Sequence, residues 1–388
     1  MTTTTRTPVP SRRRTMLAAP LAAALLGSAF APPAQAATAG TSSAGRQAGN
    51  RTTAPSRQAH GGDPAGAGQV PGLAAAAAVA STPPPDGTFV NYQGRTFRMI
   101  GGATLYITSW TPFGGPRPAV TLTKAQWLAT NQFPADGTFA QTAQTHAVYR
   151  FVGGAPIYVS TFAGFKPRPT TVLEIDQAVL EQAGRNFPWD SVAATPLDWD
   201  GTNGGAPVFV IGGRTGRVYK LTGGAPTHVS SWKNFGGVQP ATVVDQLAID
   251  LAGGSGHWRY LRKYPMDGWT VQATPGGQSY VMAGGAPIYV GTLSLLDGLR
   301  PAKLDGATIA HSKLSDLPYG NLRHRPADGT FLRTVQDGRV YRVQAGIPVY
   351  VSSWTPYGGI QPYVDIDQLA IDHAGESGVW DHLGPVQS

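Results

Sequence analysis

Short runs of alternating hydrophobic and polar residues fill positions 84–388, and they return at intervals of about 60 residues. The clearest run is Gly-Gly-Ala-Pro-Ile-Tyr-Val-Ser at Gly153–Ser160. Two glycines permit a tight turn with positive φ, and the proline fixes the φ that follows. The alternating β-branched and aromatic residues after them predict a half-buried strand. Variants of the run occur at Gly101–Trp110, Gly153–Phe162, Gly223–Trp232, Gly284–Leu293 and Ala345–Trp354.

Each repeat opens with an Asp-Gly turn and contains two more short alternating segments, which predicts a three-stranded meander. A loop with an aromatic residue and two glycines follows, and then a short helix. We expect Leu247 and Ile249 of one such helix to pack inward and its acidic residues to face solvent. The predicted helix N-caps are Asp176, Asp245 and Asp367, and the predicted left-handed C-caps are Gly184, Gly253 and Gly375.

Repetition with this period indicates an array or a propeller, and units this small must share a core with their neighbours. We predict a mainly β fold with short helices, in which five tandem units close into a five-bladed, propeller-like disc. An open repeat array is the alternative. The predicted segments are an export signal (1–36), a disordered linker rich in Ala, Gly and Pro (37–83) and the repeat domain (84–388). Its units are 84–133, 134–195, 196–264, 265–325 and 326–388.

The N-terminus has the features of an export signal. Three arginines, Arg12–Arg14, precede a short apolar run and the small residues Ala34-Gln35-Ala36, which fits the Sec or the twin-arginine route. No integral membrane segment is then expected after cleavage. The chain has a net charge of +8, and residues 1–36 hold four of its 30 basic and none of its 22 acidic residues, leaving +4. Without a basic run interleaved with aromatics, nucleic-acid binding is not expected.

Catalytic motifs are absent from the sequence. With no cysteine there is neither a disulfide nor a thiolate site, and the eight histidines show no metal-ligand spacing. Gly253–His257 lacks the last glycine of a nucleophile elbow. The repeated aspartates suit turns and helix caps better than a catalytic carboxylate pair. We therefore assign no catalytic residue and no cofactor. A weak calcium candidate is formed by Asp198, Asp200 and Asn203, without the downstream glutamate of an EF-hand.

Aromatic residues recur at two positions, one at the end of the third strand of a repeat and one just before Gly-Gly. Flat rings beside flexible glycines and serines suit sugar stacking. The alternative is that the tryptophans form the core between units, and the sequence leaves both interpretations open. The candidate ligand-binding residues are Trp110, Phe113, Trp232, Phe235, Trp354 and Tyr357.

The ordered motifs Asp-Gly-Thr-Phe, Val-Tyr-Arg-Val, Gly-Gly-Ala-Pro-Ile-Tyr-Val-Ser, Gly-Gly-x-Gln-Pro and Val-Asp resemble the tandem repeats of secreted actinobacterial proteins. They are distantly similar to LGFP-type repeats of cell-wall-associated proteins, although the Leu-Gly-Phe-Pro signature itself is absent. The resemblance covers roughly residues 84–383. It implies association with a wall or glycan and provides no catalytic residue.

Together these features predict a secreted, monomeric, non-catalytic protein that binds cell-wall polysaccharide, peptidoglycan or another extracellular glycan. Two alternatives stay open. One is a protein-interaction or adhesion scaffold, and the other, ranked lower, is a secreted hydrolase whose site is assembled across repeats.

Overall fold

A computed structural model describes residues 81–198, 206–296, 300–314 and 316–386. The predicted export signal and most of the predicted linker lie outside these residues, as do Asp200 and Asn203 of the calcium candidate. The described part is mainly β with short helices, as the sequence predicted. Its strands form five four-stranded sheets in repeated units.

The sheets follow one another along the chain, and each lies within one of the five predicted units. The first contains β1 (Phe89–Tyr92), β2 (Arg95–Ile100), β3 (Ala103–Tyr106) and β4 (Ala119–Thr121). The second contains β5 (Phe139–Thr142), β6 (Val148–Val152), β7 (Ala155–Val159) and β8 (Leu173–Ile175). The third contains β9 (Phe209–Gly212), β10 (Val218–Thr222), β11 (Ala225–His228) and β12 (Ala241–Val244). The fourth contains β13 (Thr270–Thr274), β14 (Ser279–Ala283), β15 (Ala286–Val290) and β16 (Ala302–Asp305). The fifth contains β17 (Phe331–Thr334), β18 (Val340–Gln344), β19 (Ile347–Tyr350) and β20 (Val364–Ile366).

A short α-helix follows the fourth strand of each sheet. These helices are α1 (Lys124–Ala129), α2 (Gln177–Glu181), α3 (Gln246–Asp250), α4 (Gly306–Ala310) and α5 (Leu369–Asp372). One-turn 3-10 helices follow the third strands at Thr111–Phe113, Phe162–Gly164, Trp232–Phe235, Leu293–Leu296 and Thr355–Tyr357. Two more lie at Gly256–Trp258 and Gly378–Trp380. In the described part of the chain, every helix is too short or too polar to cross a bilayer.

Every sheet has the strand order third, second, first, fourth. The first three strands form the antiparallel meander that the sequence predicted, and the fourth pairs parallel to the first, as β12 does with β9. The sequence pattern did not reveal this fourth strand. It has only three or four residues between a proline and the helix cap, which is too short for alternation to show.

The Gly-Gly turns have the positive φ that the sequence predicted, with +55° at Gly153 and +77° at Gly154. The aspartate of the Asp-Gly turn binds this hairpin, because the Asp136 carboxylate accepts a hydrogen bond of 2.7 Å from the Gly153 amide. Asp86 accepts bonds of 2.8 Å from both amides of its own glycine pair. In the first, second and fourth units the Asp-Gly turn is therefore bonded directly to the Gly-Gly turn between the second and third strands.

Buried aspartates join neighbouring units. Asp245, 6 % exposed, caps α3 through the Leu247 amide at 2.9 Å. Its second oxygen accepts from the amide and the hydroxyl of Ser160 in the preceding unit, both at 2.6 Å. The prediction that the helix acids face solvent is therefore wrong for these caps, since their oxygens serve two units at once. At the other three junctions the equivalent aspartate accepts a hydrogen bond from an amide of the preceding unit. These pairs are Asp176 with Thr108, Asp305 with Ser230, and Asp367 with Gly291.

Neighbouring units also share their hydrophobic cores, as predicted. Val152 and Ile157 of the second sheet belong to one buried cluster with Tyr219 and Ile249 of the third unit. Ile249 packs inward as expected, but Leu247 is 37 % exposed and the prediction for it is wrong. Each junction carries a ring pair with centroids 4.7–5.1 Å apart, namely Tyr106–Trp189, Tyr158–Trp258, His228–Tyr319 and Tyr289–Trp380.

The last unit differs at the matching position. Tyr350 is 57 % exposed and Val349 41 % exposed, and among the described residues no ring of a following unit covers Tyr350. The described part of the chain contains five separate sheets and no closed sheet. The closed disc is therefore not confirmed and stays a prediction.

Candidate ligand-binding surface

Four aromatic side chains occupy one repeat position, where the third strand ends and a one-turn 3-10 helix begins. We call this set the ring row; it consists of Trp110, Phe162, Trp232 and Trp354. All four rings are partly exposed. A hydroxyl fixes the start of each turn, as when Ser231 Oγ accepts from the Lys233 amide at 3.2 Å. The fourth unit has Leu293 here, so the row is interrupted there.

The inner side of each ring packs on a phenylalanine of the first strand of the same sheet. The centroid distances are 5.0 Å for Phe89–Trp110, 5.9 Å for Phe139–Phe162, 5.1 Å for Phe209–Trp232 and 5.1 Å for Phe331–Trp354. One part of each ring thus contributes to packing within its unit while the rest meets solvent. In these contacts the tryptophans pack within their own unit, whereas the core interpretation placed them between units. Their role as platforms stays a prediction.

The aromatic residues before Gly-Gly lie deeper. Phe113 is 4 % and Phe235 8 % exposed, and each packs edge-on against the first-strand phenylalanine. Their rings therefore offer almost no surface for stacking, whereas Tyr357 keeps partial exposure. We therefore leave Phe113 and Phe235 out of the candidate surface, which consists of the ring row and Tyr357.

The loops that follow are fixed by the Gln of the Gly-Gly-x-Gln-Pro motif. Gln239 Nε2 donates to the carbonyls of Phe235 and Gly237 at 3.1 and 3.2 Å, and Gln361 makes the equivalent bonds in the last unit. Gly236 and Gly237 have φ of +82° and +112°, which favours glycine.

These loops expose an apolar residue that the sequence reasoning did not select. Val238 is 80 % and Ile360 74 % exposed, and both stand at the variable position of Gly-Gly-x-Gln-Pro. Exposed apolar side chains at a repeated loop position are a further candidate contact for a ligand. In the sequence, these residues can be identified as the apolar residue that directly follows Gly-Gly.

Two arginine side chains contact the first-strand phenylalanines on which the ring row packs. The Arg98 and Arg150 guanidinium groups lie 4.9 and 4.7 Å from the centroids of Phe89 and Phe139. Burial lowers the pKa of both arginines. Each also donates to a carbonyl of the next unit, Arg98 to Glu174 and Arg150 to Val243. These contacts position the rings and join the units, so the arginines act mainly in structure.

The third unit has Lys220 at the position of these arginines. Its ammonium lies 2.9 Å from Asp198 Oδ2, and both side chains are almost fully buried. Asp198, the described member of the calcium candidate, is therefore already paired with a positive charge. A calcium ion there would have to displace this ammonium.

Polar groups stand beside the rings of the described surface. Exposed hydroxyls of Ser109, Ser231 and Ser353 stand beside the rings and can bond to ligand hydroxyls. The repeated aspartates described above use their oxygens on backbone amides, which leaves them poorly placed as an acid–base pair.

Comparison of the chain with protein-family models, with curated protein sequences and with solved structures gives no match. The actinobacterial and LGFP-type resemblance thus rests on the repeat motifs alone.

Proposed function

We propose that this chain is a secreted, non-catalytic repeat protein that binds cell-wall polysaccharide or another extracellular glycan through the ring row. The observation that supports this most is the recurrence of a partly exposed ring at one position in four units, each beside an exposed hydroxyl. A sugar presents apolar C–H faces and polar edges, so a flat ring with a neighbouring hydroxyl complements both.

Repetition suits a polymeric ligand. Each ring offers a shallow and weak contact, but a polysaccharide that reaches several units binds with an effective concentration that multiplies the individual affinities. A small-molecule ligand would gain nothing from the other copies. We therefore expect affinity to rise steeply with glycan length.

Fluorescence titration of the full chain tests this proposal. Soluble wall polysaccharide and peptidoglycan fragments are added separately while tryptophan emission is followed. We expect a saturable change with at least one of them. A triple Trp110→Phe, Trp232→Phe, Trp354→Phe variant keeps aromatic rings, as Phe162 does naturally, but removes the local reporters. If both ligands bind the wild type without changing its tryptophan emission, the site lies elsewhere. The same conclusion follows if the emission change persists in the triple variant.

A second candidate, the interaction scaffold, is favoured by the open face of the last unit. Tyr350 and Ser352 occupy the positions that contact the next unit at the four internal junctions, and no following unit covers them among the described residues. On the first unit, Val120 in β4 is 48 % exposed, and it occupies the position that Leu173 fills against the first unit at the first junction. These two faces correspond to the two sides of an internal junction, so the partner is a second copy docking head to tail.

Sedimentation velocity of the full chain over a range of concentrations tests this second candidate. Head-to-tail association predicts concentration-dependent oligomers that Tyr350→Asp abolishes, whereas Phe187→Asp, at another exposed ring, leaves them intact. A monomer at every concentration would refute it and would agree with closure of the disc within one chain.

A further inference from the structure

Three side chains with metal-ligand chemistry meet where the fourth and fifth units join. Ligand atoms of His324, Asp381 and His382 all lie within 4.8 Å of one another. Imidazole nitrogens and carboxylate oxygens are the preferred ligands of zinc and related divalent ions. We propose that this trio binds one divalent transition-metal ion of the zinc class and thereby fastens the fifth unit to the fourth.

The orientation of His382 supports this assignment. Its Nδ1–H donates to the His324 carbonyl oxygen at 2.7 Å, because a carbonyl can only accept. The lone pair of Nε2 is then free, and it lies 3.7 Å from Asp381 Oδ1. Metal-binding histidines typically donate their second nitrogen to a backbone carbonyl or a carboxylate, which fixes the tautomer and the ring plane.

The preceding junction, between the third and fourth units, shows that the hydrogen bond between units does not require two imidazoles. There Asn321 occupies the position of His382, and its Nδ2 donates to the Lys263 carbonyl at 3.0 Å. Lys263 in turn occupies the position of His324. The same inter-unit hydrogen bond is thus made by an amide and a lysine carbonyl. Within the described residues, His324, Asp381 and His382 are the one group of three such side chains that converge.

The surroundings allow an ion to enter. Asp381 Oδ2 lies 3.0 Å from Lys313 Nζ, but the lysine side chain is 62 % exposed and can swing into solvent. Ser312 Oγ lies 3.4 Å from His324 Nδ1 and holds that ring only weakly. Three protein ligands then leave one tetrahedral position for water. Since His324 belongs to the fourth unit and the other two ligands to the fifth, the ion cross-links them.

Isothermal titration of the metal-free full chain with zinc chloride tests the proposal, with cobalt chloride as a spectroscopic probe. We expect one ion per chain, visible absorption typical of tetrahedral cobalt, and a higher unfolding temperature that a chelator reverses. No zinc binding at about a hundred micromolar, a range far above that of protein zinc sites, would overturn the proposal.

Variants taken from the preceding junction keep the fold while removing the ligands. His382→Asn retains a donor to the His324 carbonyl. His324→Lys introduces the residue that the preceding junction has at this position, Lys263. We expect each to weaken zinc binding on the order of 100-fold and to abolish the cobalt spectrum, since a direct ligand matters at least as much as an outer one. His146→Asn, in an exposed loop, is the control and should bind as the wild type does. Unchanged binding in both junction variants would overturn the assignment.

Discussion

Replacing Asp245 by alanine tests whether one carboxylate stabilises two units. The substitution removes the N-cap of α3, which costs about 1 kcal/mol. It also removes the acceptor for the Ser160 amide and hydroxyl, two short bonds to a charged group. Bonds of that kind contribute about 1.5–3 kcal/mol each, and the Ser160 amide would be left without a partner. Allowing for their shared acceptor, we expect a loss of about 3–4 kcal/mol in the free energy of unfolding.

Equilibrium unfolding in urea, followed by circular dichroism, measures this loss. Asp245→Asn keeps an acceptor oxygen and should lose about half as much. The control is Asp372→Ala at an exposed acid of α5, expected to change stability by less than about 0.5 kcal/mol. A loss below about 1 kcal/mol for Asp245→Ala would mean that the carboxylate acts only as a helix cap, which refutes its role between units.

Three further predictions concern the junctions and the aromatic clusters. Burial lowers the pKa of His228 below its ordinary value of 6.5, so the folded state binds fewer protons than the unfolded state and stability falls as pH drops through 6.5 toward the lowered pKa. His228→Tyr, the residue of the other units, should flatten this dependence in urea titrations at several pH values; an unchanged slope would contradict it. Gly253→Ala places a Cβ 2.5 Å from that of Lys263, whereas Gly256→Ala meets nothing within 4 Å. Both adopt positive φ, so the first should lose about 2 kcal/mol more in thermal unfolding, and equal losses would exclude the clash. Phe113→Ala should cost about 3–5 kcal/mol of stability, and a fully stable variant with impaired ligand binding would contradict its assignment to the core.

Local chemistry made much of the fold predictable. Glycine pairs, helix-capping aspartates and alternating β-branched residues each act over a few positions, and the copies reinforced one another. The fourth strand escaped prediction because its pairing is with a strand 30 or so residues earlier, as Thr242 pairs with Val210. Such pairing depends on tertiary contacts that a short segment does not encode.

The candidate surface was predictable only in part. The sequence identified the repeat positions of Trp110 and Phe113 but not their different depths. Both rings pack on Phe89, but Phe113 also belongs to a buried cluster with Ile107 and with Ala143 of the second unit, whereas Trp110 lies outside that cluster. The convergence of His324 with His382 was likewise invisible, since 58 residues separate them and only the packing of two units brings them together.

Co-sedimentation with insoluble cell walls tests the central claim most directly. The full chain is mixed with walls that keep or lack their secondary polysaccharides, beside a triple Trp110→Ala, Trp232→Ala, Trp354→Ala variant that circular dichroism shows to be folded. Phe187→Ala, at a ring 38 % exposed outside the ring row, is the matched control. The proposal predicts that the wild type and the control sediment with glycan-bearing walls and that the triple variant stays in solution. Equal sedimentation of the triple variant, or none by the wild type, would contradict glycan binding through the ring row.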